Sequence, residues 1–265
     1  MVSRATEADP LAALADLPGV RASCDDARSA LDAVLWDRGV RSRAAEVVAE
    51  SVRRGAHASA ALDGVDVPVE RLRAVRDDSP MARVLGAALR VTQEVPGQLE
   101  AWSRSPLQVL ARLHAVGARE FVSDGEVGRP RDGDAVDDPL HLGVLPPAAE
   151  VTARLATLAQ VVTVPTAAPA LLVAAIVHGE LLLLRPFTWG SGLVARVSVR
   201  LVLAQRGVDP DLLGVPEAGV LAGGRGPYVK ALRAFASGTP EGVADWIMWH
   251  CGAVRSGARA AVVTG

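Results

Sequence analysis

The sequence predicts an all-α protein, and three observations lead to this prediction. Half of the 265 residues are hydrophobic but only 3% are aromatic, so Ala, Val and Leu must fill the core, and these residues suit close helix-to-helix packing. Apolar residues recur at helical spacing along most of the chain, and the alternating pattern of strands is scarce. A chain of this length can bury a large core in one main domain.

The first third of the chain is predicted to be mostly helical. A first helix begins near 25, because Ser23, Asp25 and Asp26 are residue types found at helix starts and apolar positions at helical spacing follow them. The other helices predicted in this third cover 41–54 and 68–92, the latter with a break at 78–80.

The remainder continues the helical pattern around one long loop. A helix follows Pro106, and the segment 124–138 after it is rich in Gly and Asp, so we expect a loop there with room for a short β-hairpin. The later predicted helices cover 148–162, 171–184, 193–206, 227–236 and 240–255. We divide the chain into an extension (1–24), N-terminal helices (25–95), a core (96–256) and a tail (257–265).

Charge and hydropathy exclude several classes of protein. The net charge is −2 and the basic residues form no stripe, so nucleic acid is not an expected partner. The most apolar run, 171–184, is shorter than the roughly 20 residues that cross a membrane. Nearly every basic residue is Arg, a bias typical of GC-rich bacterial genomes.

The N-terminus and the cysteines bear on location and on metal sites. The N-terminal residues lack the pattern of a secretory signal, and we expect a cytoplasmic protein. Cys24 and Cys251 lie far apart in sequence and have no neighbouring ligands at metal-site spacing. We therefore predict neither a metal site nor a disulfide framework.

The segment from 181 to 200, LLLLRPFTWGSGLVARVSVR, has a pattern that indicates a candidate ligand-binding site. An apolar helix leads into a turn made by Gly190, Ser191 and Gly192, and a second helix follows. Free N–H groups and the positive end of a helix dipole at such a turn can bind an anion such as phosphate. A turn that only connects two helices can have the same glycine pattern. The sequence therefore leaves both interpretations open, an anion site and a plain connecting turn.

This segment resembles the signature of the Fic (Fido) family, His-x-Phe-x-Asp/Glu-Gly-Asn-Gly-Arg-x-x-Arg. Residues 185–196 align with the signature without a gap, and the matching positions are Phe187, Gly190, Gly192 and Arg196. The other four positions differ from the signature. Arg185 replaces the family's histidine, Trp189 its metal-binding acid, Ser191 its asparagine and Leu193 its first arginine.

The resemblance covers most of the chain. The features that match the family in their order are His114, the segment 128–131, the pair Pro146 and Pro147, and the closing segment 228–246. The resemblance implies a Fic-type helical bundle, ATP and Mg²⁺ as the ligands of the family, and compatibility with a homodimer.

A second motif resembles the family's inhibitory helix, Ser/Thr-x-x-x-Glu-Gly/Asn. Its residues here are Ser59, Asp63 and Gly64, with Asp in place of Glu. In the family this acid pairs with the second signature arginine and blocks the γ-phosphate of ATP, which implies a pair between Asp63 and Arg196. An ion pair that only orders two helices would place the same residues together.

The substituted positions bear directly on mechanism. AMP transfer to a hydroxyl group needs a proton acceptor, and an arginine side chain, which stands here as Arg185, remains protonated and cannot be one. Trp189 offers no carboxylate to Mg²⁺, and Leu193 offers no charge to phosphate. The histidines weighed as substitute bases are His114, His141 and His178, of which His178 lies on the apolar helix and is expected to be a core residue.

We therefore expect a pseudoenzyme that lacks AMP-transferase activity and acts as a nucleotide- or protein-binding regulatory module. The alternative is a nucleotidyl or phosphoryl-group transferase with altered chemistry that uses the loop 190–192 together with Arg185 or Arg196. A DNA-linked or toxin–antitoxin regulator is a third hypothesis, disfavoured because no basic helix-turn-helix pattern follows the domain.

Overall fold

The structure, a computed structural model, describes residues 9–65 and 79–262, with side chains as far as 260. The helices found in these ranges are α1 (Pro10–Leu14), α2 (Val20–Trp36), α3 (Arg38–Ser42), α4 (Ala44–Leu62), α5 (Pro80–Trp102), α6 (Pro106–Ala118), α7 (Ala148–Thr163), α8 (Ala170–Leu184), α9 (Ser191–Gln205), α10 (Pro216–Gly223), α11 (Arg225–Ala236) and α12 (Pro240–Val262). No strand occurs in this part of the chain, so the all-α prediction is confirmed.

Helices α8 and α9 form the centre of the core. Helix α8 carries apolar residues on all its faces, and most of its residues are buried, as expected of a helix that other helices enclose. Helix α9 follows it and packs against it, with 13 buried residues among its 15. The loop that joins these two helices is therefore held at both ends by heavily buried helices.

The other helices pack around this central pair in two groups. Helix α12 packs against α2, α8, α10 and α11. Helix α5 packs against α4, α6 and α9, while α4 also contacts α9. This second group brings the end of α4 to the beginning of α9.

Helix α5 extends further than predicted. Ser79 caps it by accepting a hydrogen bond from the backbone N–H of Ala82, and Pro80 occupies the first turn. The helix continues past the predicted end at 92, because Val95 and Trp102 still point into the core. The predicted boundary between the N-terminal helices and the core, at 95/96, thus falls inside α5. The structure does not describe residues 66–78, which include the part of the predicted helix before the break at 78–80.

Helix α2 begins five residues earlier than predicted. Gly19 adopts a left-handed conformation, with φ of 81°, and precedes the first helical residue, Val20. The residues read as a start signal, Ser23, Asp25 and Asp26, lie within the helix. Glycine adopts this left-handed conformation without steric cost, and the helix begins here without a side-chain capping hydrogen bond.

The long loop between α6 and α7 forms no β-hairpin in the structure. Its backbone instead bonds to the loop after α8, with Arg131 N–H donating to Pro186 O at 2.8 Å and Asp137 N–H donating to Thr188 O at 2.7 Å. These donors are therefore not available for pairing within a hairpin. Among the described helices, none combines the length and apolar character needed to cross a membrane.

Candidate functional site

The loop between α8 and α9, residues 185–190, is bounded by two residues with left-handed backbone. Arg185 ends α8 with φ of 43°, and its N–H donates to Leu181 O at 3.0 Å. Gly190 precedes α9 with φ of 72°. The Ser191 hydroxyl accepts from Phe187 N–H at 3.0 Å and donates to Phe187 O at 3.1 Å, which closes the loop on itself.

No side chain caps the first turn of α9. The Ser191 hydroxyl is engaged with Phe187, so it serves the shape of the loop. The first N–H groups of a helix have no intrahelical acceptors, and the helix dipole makes this end attractive to negative charge. The first turn of α9 therefore has no side-chain acceptor of the capping kind.

Arg185 is a buried side chain that holds a neighbouring loop. Only 3% of the residue is exposed. Its Nη1 donates to Asp138 Oδ2 at 2.7 Å, and its Nη2 donates to Val144 O at 2.8 Å and Gly143 O at 3.3 Å. The guanidinium therefore binds a carboxylate of this chain and fastens the segment 138–144 to the end of α8.

Arg131 reinforces the same connection. Its Nε donates to Arg185 O at 2.9 Å, and its Nη2 donates to Pro146 O at 2.5 Å. Burial lowers the pKa of Arg131, and the charge of Arg185 acts in the same direction while Asp134 opposes both. Together Arg131 and Arg185 attach both ends of the segment 131–146 to the loop after α8.

Asp63 and Arg196 form an ion pair between the end of α4 and the second turn of α9. Asp63 Oδ2 lies 2.6 Å from Arg196 Nη2, and the Arg196 side chain is 1% exposed. Arg196 Nε also donates to Ser59 Oγ at 2.7 Å and Nη2 donates to Ser59 O at 3.0 Å. Burial disfavours the charged guanidinium, but the interactions with Asp63 and Tyr228 together outweigh this effect and raise the pKa of Arg196.

The ion pair lies directly beneath the first turn of α9. A Cβ atom built on Gly192 would approach Arg196 Nη1 to 3.0 Å and Asp63 Oδ1 to 3.1 Å. The Asp63 carboxylate therefore already supplies negative charge at the helix N-terminus. Gly64, the third residue of the inhibitory-like motif, follows with φ of 93° and ends the turn after α4.

Trp189 and Leu193 belong to a small apolar cluster beside the same loop. The Trp189 ring stacks on Phe121, with centroids 3.8 Å apart. Leu193 is buried, and the other buried members of the cluster are Ala56, Ala60, Val65, Ala87 and Ala88. Within the described ranges, no group of three or more His, Cys, Asp or Glu residues is placed to hold a metal ion.

His114 packs against the loop from below. Its ring stacks on Phe187 with centroids 4.1 Å apart, and its Nδ1 accepts from Gly128 N–H at 2.9 Å. Burial lowers the pKa of His114 to about 4, while the Trp189 backbone and the Glu126 carboxylate oppose this effect. A neutral imidazole in this position supports the Phe187 ring.

The other two histidines weighed as bases lie in different surroundings. His178 is fully buried, and its Nε2 bonds to the Tyr228 hydroxyl at 2.8 Å, which is the core environment expected for it. Burial holds the pKa of His178 well below its usual range. The side chain of His141 is exposed, and its backbone carbonyl accepts from Arg233.

Sequence reasoning missed three relationships, two at the site and one in the core between α2 and α12. It did not identify Asp138 as the partner of Arg185, nor the stacking of His114 on Phe187. It also treated Cys24 and Cys251 as unrelated, although their sulfur atoms lie 3.7 Å apart. The turn-rich composition of 124–138 indicated a loop, but no local pattern shows what a loop will contact.

Comparisons with known proteins give matches in structure only. No family model matches the sequence, and no curated protein matches it. A Fic family protein from Desulfovibrio desulfuricans superposes with a TM-score of 0.71 at 20% identity, over 91% of this chain and 74% of that one.

The nematode C. elegans provides further similar structures. A fragment of its Fic-1 superposes with a TM-score of 0.68 at 17% identity, over 92% of this chain and 73% of that one. A variant of the same fragment gives a TM-score of 0.60 at 16% identity, over 91% and 71%. The helical order, the loop between α8 and α9 and these superpositions together establish that the chain has the Fic fold.

Proposed function

We propose that this chain is a Fic-fold protein that does not transfer AMP and acts as a nucleotide- or protein-binding regulatory module. The observation that carries the proposal is the position of Arg185, which stands where the family's signature has its histidine. Its guanidinium is buried and bonded to Asp138 and to two backbone carbonyls. An arginine side chain stays protonated, and one whose Nη1 and Nη2 are both engaged in this way cannot accept a proton from an attacking hydroxyl group.

The apolar cluster beside the loop supports the same conclusion. Trp189 and Leu193 occupy the positions of the family's metal-binding acid and first arginine, and both pack among alanine and aromatic side chains. The residues present do not fit a Mg²⁺ site, because Mg²⁺ requires oxygen ligands. These replacements pack together, so they form an alternative core at a place where the family has polar chemistry.

The ion pair of Asp63 and Arg196 supports a regulatory role for the turn at 190–192. If the uncapped turn at 190–192 binds phosphate, the Asp63 carboxylate beneath it opposes that binding by charge. Removing the carboxylate would then free Arg196 to meet a phosphate group. The pair also joins α4 to α9, and a purely structural pair would leave ligand binding unchanged when it is broken.

Calorimetric titration with ATP, with and without Mg²⁺, tests the proposal in the native protein and in the variants Asp63→Ala and Arg196→Ala. Circular dichroism first confirms that each variant is folded at the temperature used. Tighter binding in Asp63→Ala and loss of binding in Arg196→Ala would support a self-inhibited nucleotide module that does not depend on Mg²⁺. Absence of binding in every folded variant would restrict the proposal to a protein partner.

The alternative function is a nucleotidyl or phosphoryl-group transferase with altered chemistry. The uncapped N-terminus of α9, with the Arg196 guanidinium beneath it, is the observation that favours it. Release of pyrophosphate or phosphate during the titration, present in Asp63→Ala and absent in Arg196→Ala, would support this alternative over the binding module.

A further inference from the structure

Two cysteines from opposite ends of the chain meet in the core. Cys24 lies on α2 and Cys251 on α12, 227 residues apart, and their sulfur atoms are 3.7 Å from each other. Each residue is 1% exposed, and both belong to the main hydrophobic core. The contact lies within the packing of α2 against α12, which joins the N-terminal helices to the C-terminal helix.

The distance between the sulfur atoms is short enough for a bond to form with little movement. A disulfide has sulfur atoms about 2 Å apart, so the two sulfurs must approach by roughly 1.7 Å. Rotation of the side chains can supply a displacement of this size without moving either helix by much. A hydrogen bond with Cys251 lowers the pKa of the Cys24 thiol, whereas burial acts in the opposite direction.

We propose that Cys24 and Cys251 are a redox pair that forms a reversible disulfide with a peroxide as oxidant, fastening α2 to α12. The Cys24 thiolate attacks a peroxide oxygen and becomes a sulfenic acid as hydroxide leaves. The Cys251 thiol then attacks the Cys24 sulfur, the S–S bond forms, and water leaves. In total the two thiols lose two electrons and two protons, and hydrogen peroxide becomes two molecules of water.

Burial determines how such a pair responds. A small uncharged oxidant reaches the thiols only when α2 and α12 separate locally, so the rate of oxidation follows the opening of this helix pair. The disulfide closes a loop of 227 residues, and closing so long a loop restricts the unfolded chain strongly. Oxidation therefore increases stability and prevents the same opening from recurring.

The test treats the native protein with hydrogen peroxide and measures intact mass, cross-linked peptides and Tm. The expected result is a loss of about 2 Da, one peptide joining Cys24 to Cys251, and a rise in Tm on the order of 10 °C, all reversed by dithiothreitol. The variants Cys24→Ala and Cys251→Ala are matched controls and should show neither the cross-link nor the rise in Tm.

The peptide map of the native protein decides the matter even if a variant fails to fold. Oxygen added to either cysteine without a cross-link would overturn the proposal, as would thiols that stay reduced in the folded protein while the urea-unfolded protein is oxidised. Cross-links between two copies of the chain would also overturn it. Peptide mapping separates these products from oxidation of the methionines.

Discussion

The Asp63 carboxylate lies 2.6 Å from the buried Arg196 guanidinium and thereby joins the last turn of α4 to the second turn of α9. Ser59 provides two further acceptors to the same guanidinium. Two residues at the end of α4, Ser59 and Asp63, therefore bond to a charged side chain that lies beneath the first turn of α9.

Removing one partner of this pair should be costly. Arg196→Ala and Asp63→Ala should each lower the free energy of unfolding by about 3–5 kcal/mol, because an uncompensated buried charge or a cavity remains. Ser59→Ala should cost about 1 kcal/mol. Urea denaturation of the single and double variants measures these values, and the double variant should lose less than the two single losses added together.

The exposed pair of Arg21 and Asp16 offers the control for that experiment. Its side chains are 59% and 76% exposed. Asp16→Ala should change the free energy of unfolding by less than about 1 kcal/mol, because water screens exposed pairs. Equal losses in Asp63→Ala and Asp16→Ala would show that the Asp63 pair is not a buried one.

Replacing Arg185 should loosen the segment 138–144. Arg185→Ala should cost about 2–4 kcal/mol, because Asp138 loses its charged donor and two carbonyls lose the guanidinium donor as well. Arg185→Gly should cost about 1 kcal/mol less than Arg185→Ala, since glycine tolerates the left-handed backbone at this position. Hydrogen exchange should rise in 138–144, and unchanged exchange there would contradict the role of Arg185 as a clamp.

Restoring the family's residues in the apolar cluster should harm the fold. Leu193→Arg should cost at least about 3 kcal/mol, because it places a charge among buried alanines without a partner. Trp189→Asp should cost about 2 kcal/mol through loss of the stacking on Phe121. Leu193→Met keeps the volume and should cost under about 1.5 kcal/mol, which makes it the matched control in thermal unfolding.

Acid should destabilise the protein through its buried histidines. Burial lowers the pKa of His250 from 6.5 to about 3, so the unfolded chain binds more protons than the folded one between these pH values. The contribution of His250 is therefore complete above about pH 6.5 and is lost as the pH falls toward 3. His178, whose ring centroid lies 5.2 Å from that of His250, responds in the same direction.

The variant His250→Gln isolates this effect, because glutamine does not titrate. The free energy of unfolding, measured in urea from pH 7 to pH 4, should fall less steeply in the variant than in the native protein, by about 1 kcal/mol for each pH unit. An identical slope in the two proteins would show that His250 does not stay neutral in the folded state.

Much of the fold could be predicted from sequence because helical periodicity is local. The central helices α8 and α9 lie within a few residues of their predicted bounds, and the loop between them was identified by its glycines. Helix α4 continues to Leu62 instead of ending near 54, and the end of α5 and the start of α2 were also misplaced. In the last two cases, long-range packing of Val95 and Trp102 and the backbone of Gly19 outweighed the local signals.

The candidate site was predictable only where a motif described it. The proximity of Asp63 and Arg196 was expected from two motifs far apart in sequence, and the structure places them in contact. The bonds of Arg185 to Asp138 and Val144 were not expected, because a contact between a helix end and a loop leaves no periodic trace. The meeting of Cys24 and Cys251 likewise depends on the packing of the first and last long helices.

A transfer assay with ATP labelled on its α-phosphate tests the central claim most directly. The native protein and the Asp63→Ala variant, which removes the carboxylate beneath the loop, are incubated with Mg²⁺, and label is measured on this chain and on added protein. We predict no covalent label in either protein. Label on the Asp63→Ala variant that is absent from the double variant Asp63→Ala/Arg196→Ala would contradict the claim. It would show that AMP transfer proceeds without the family's histidine.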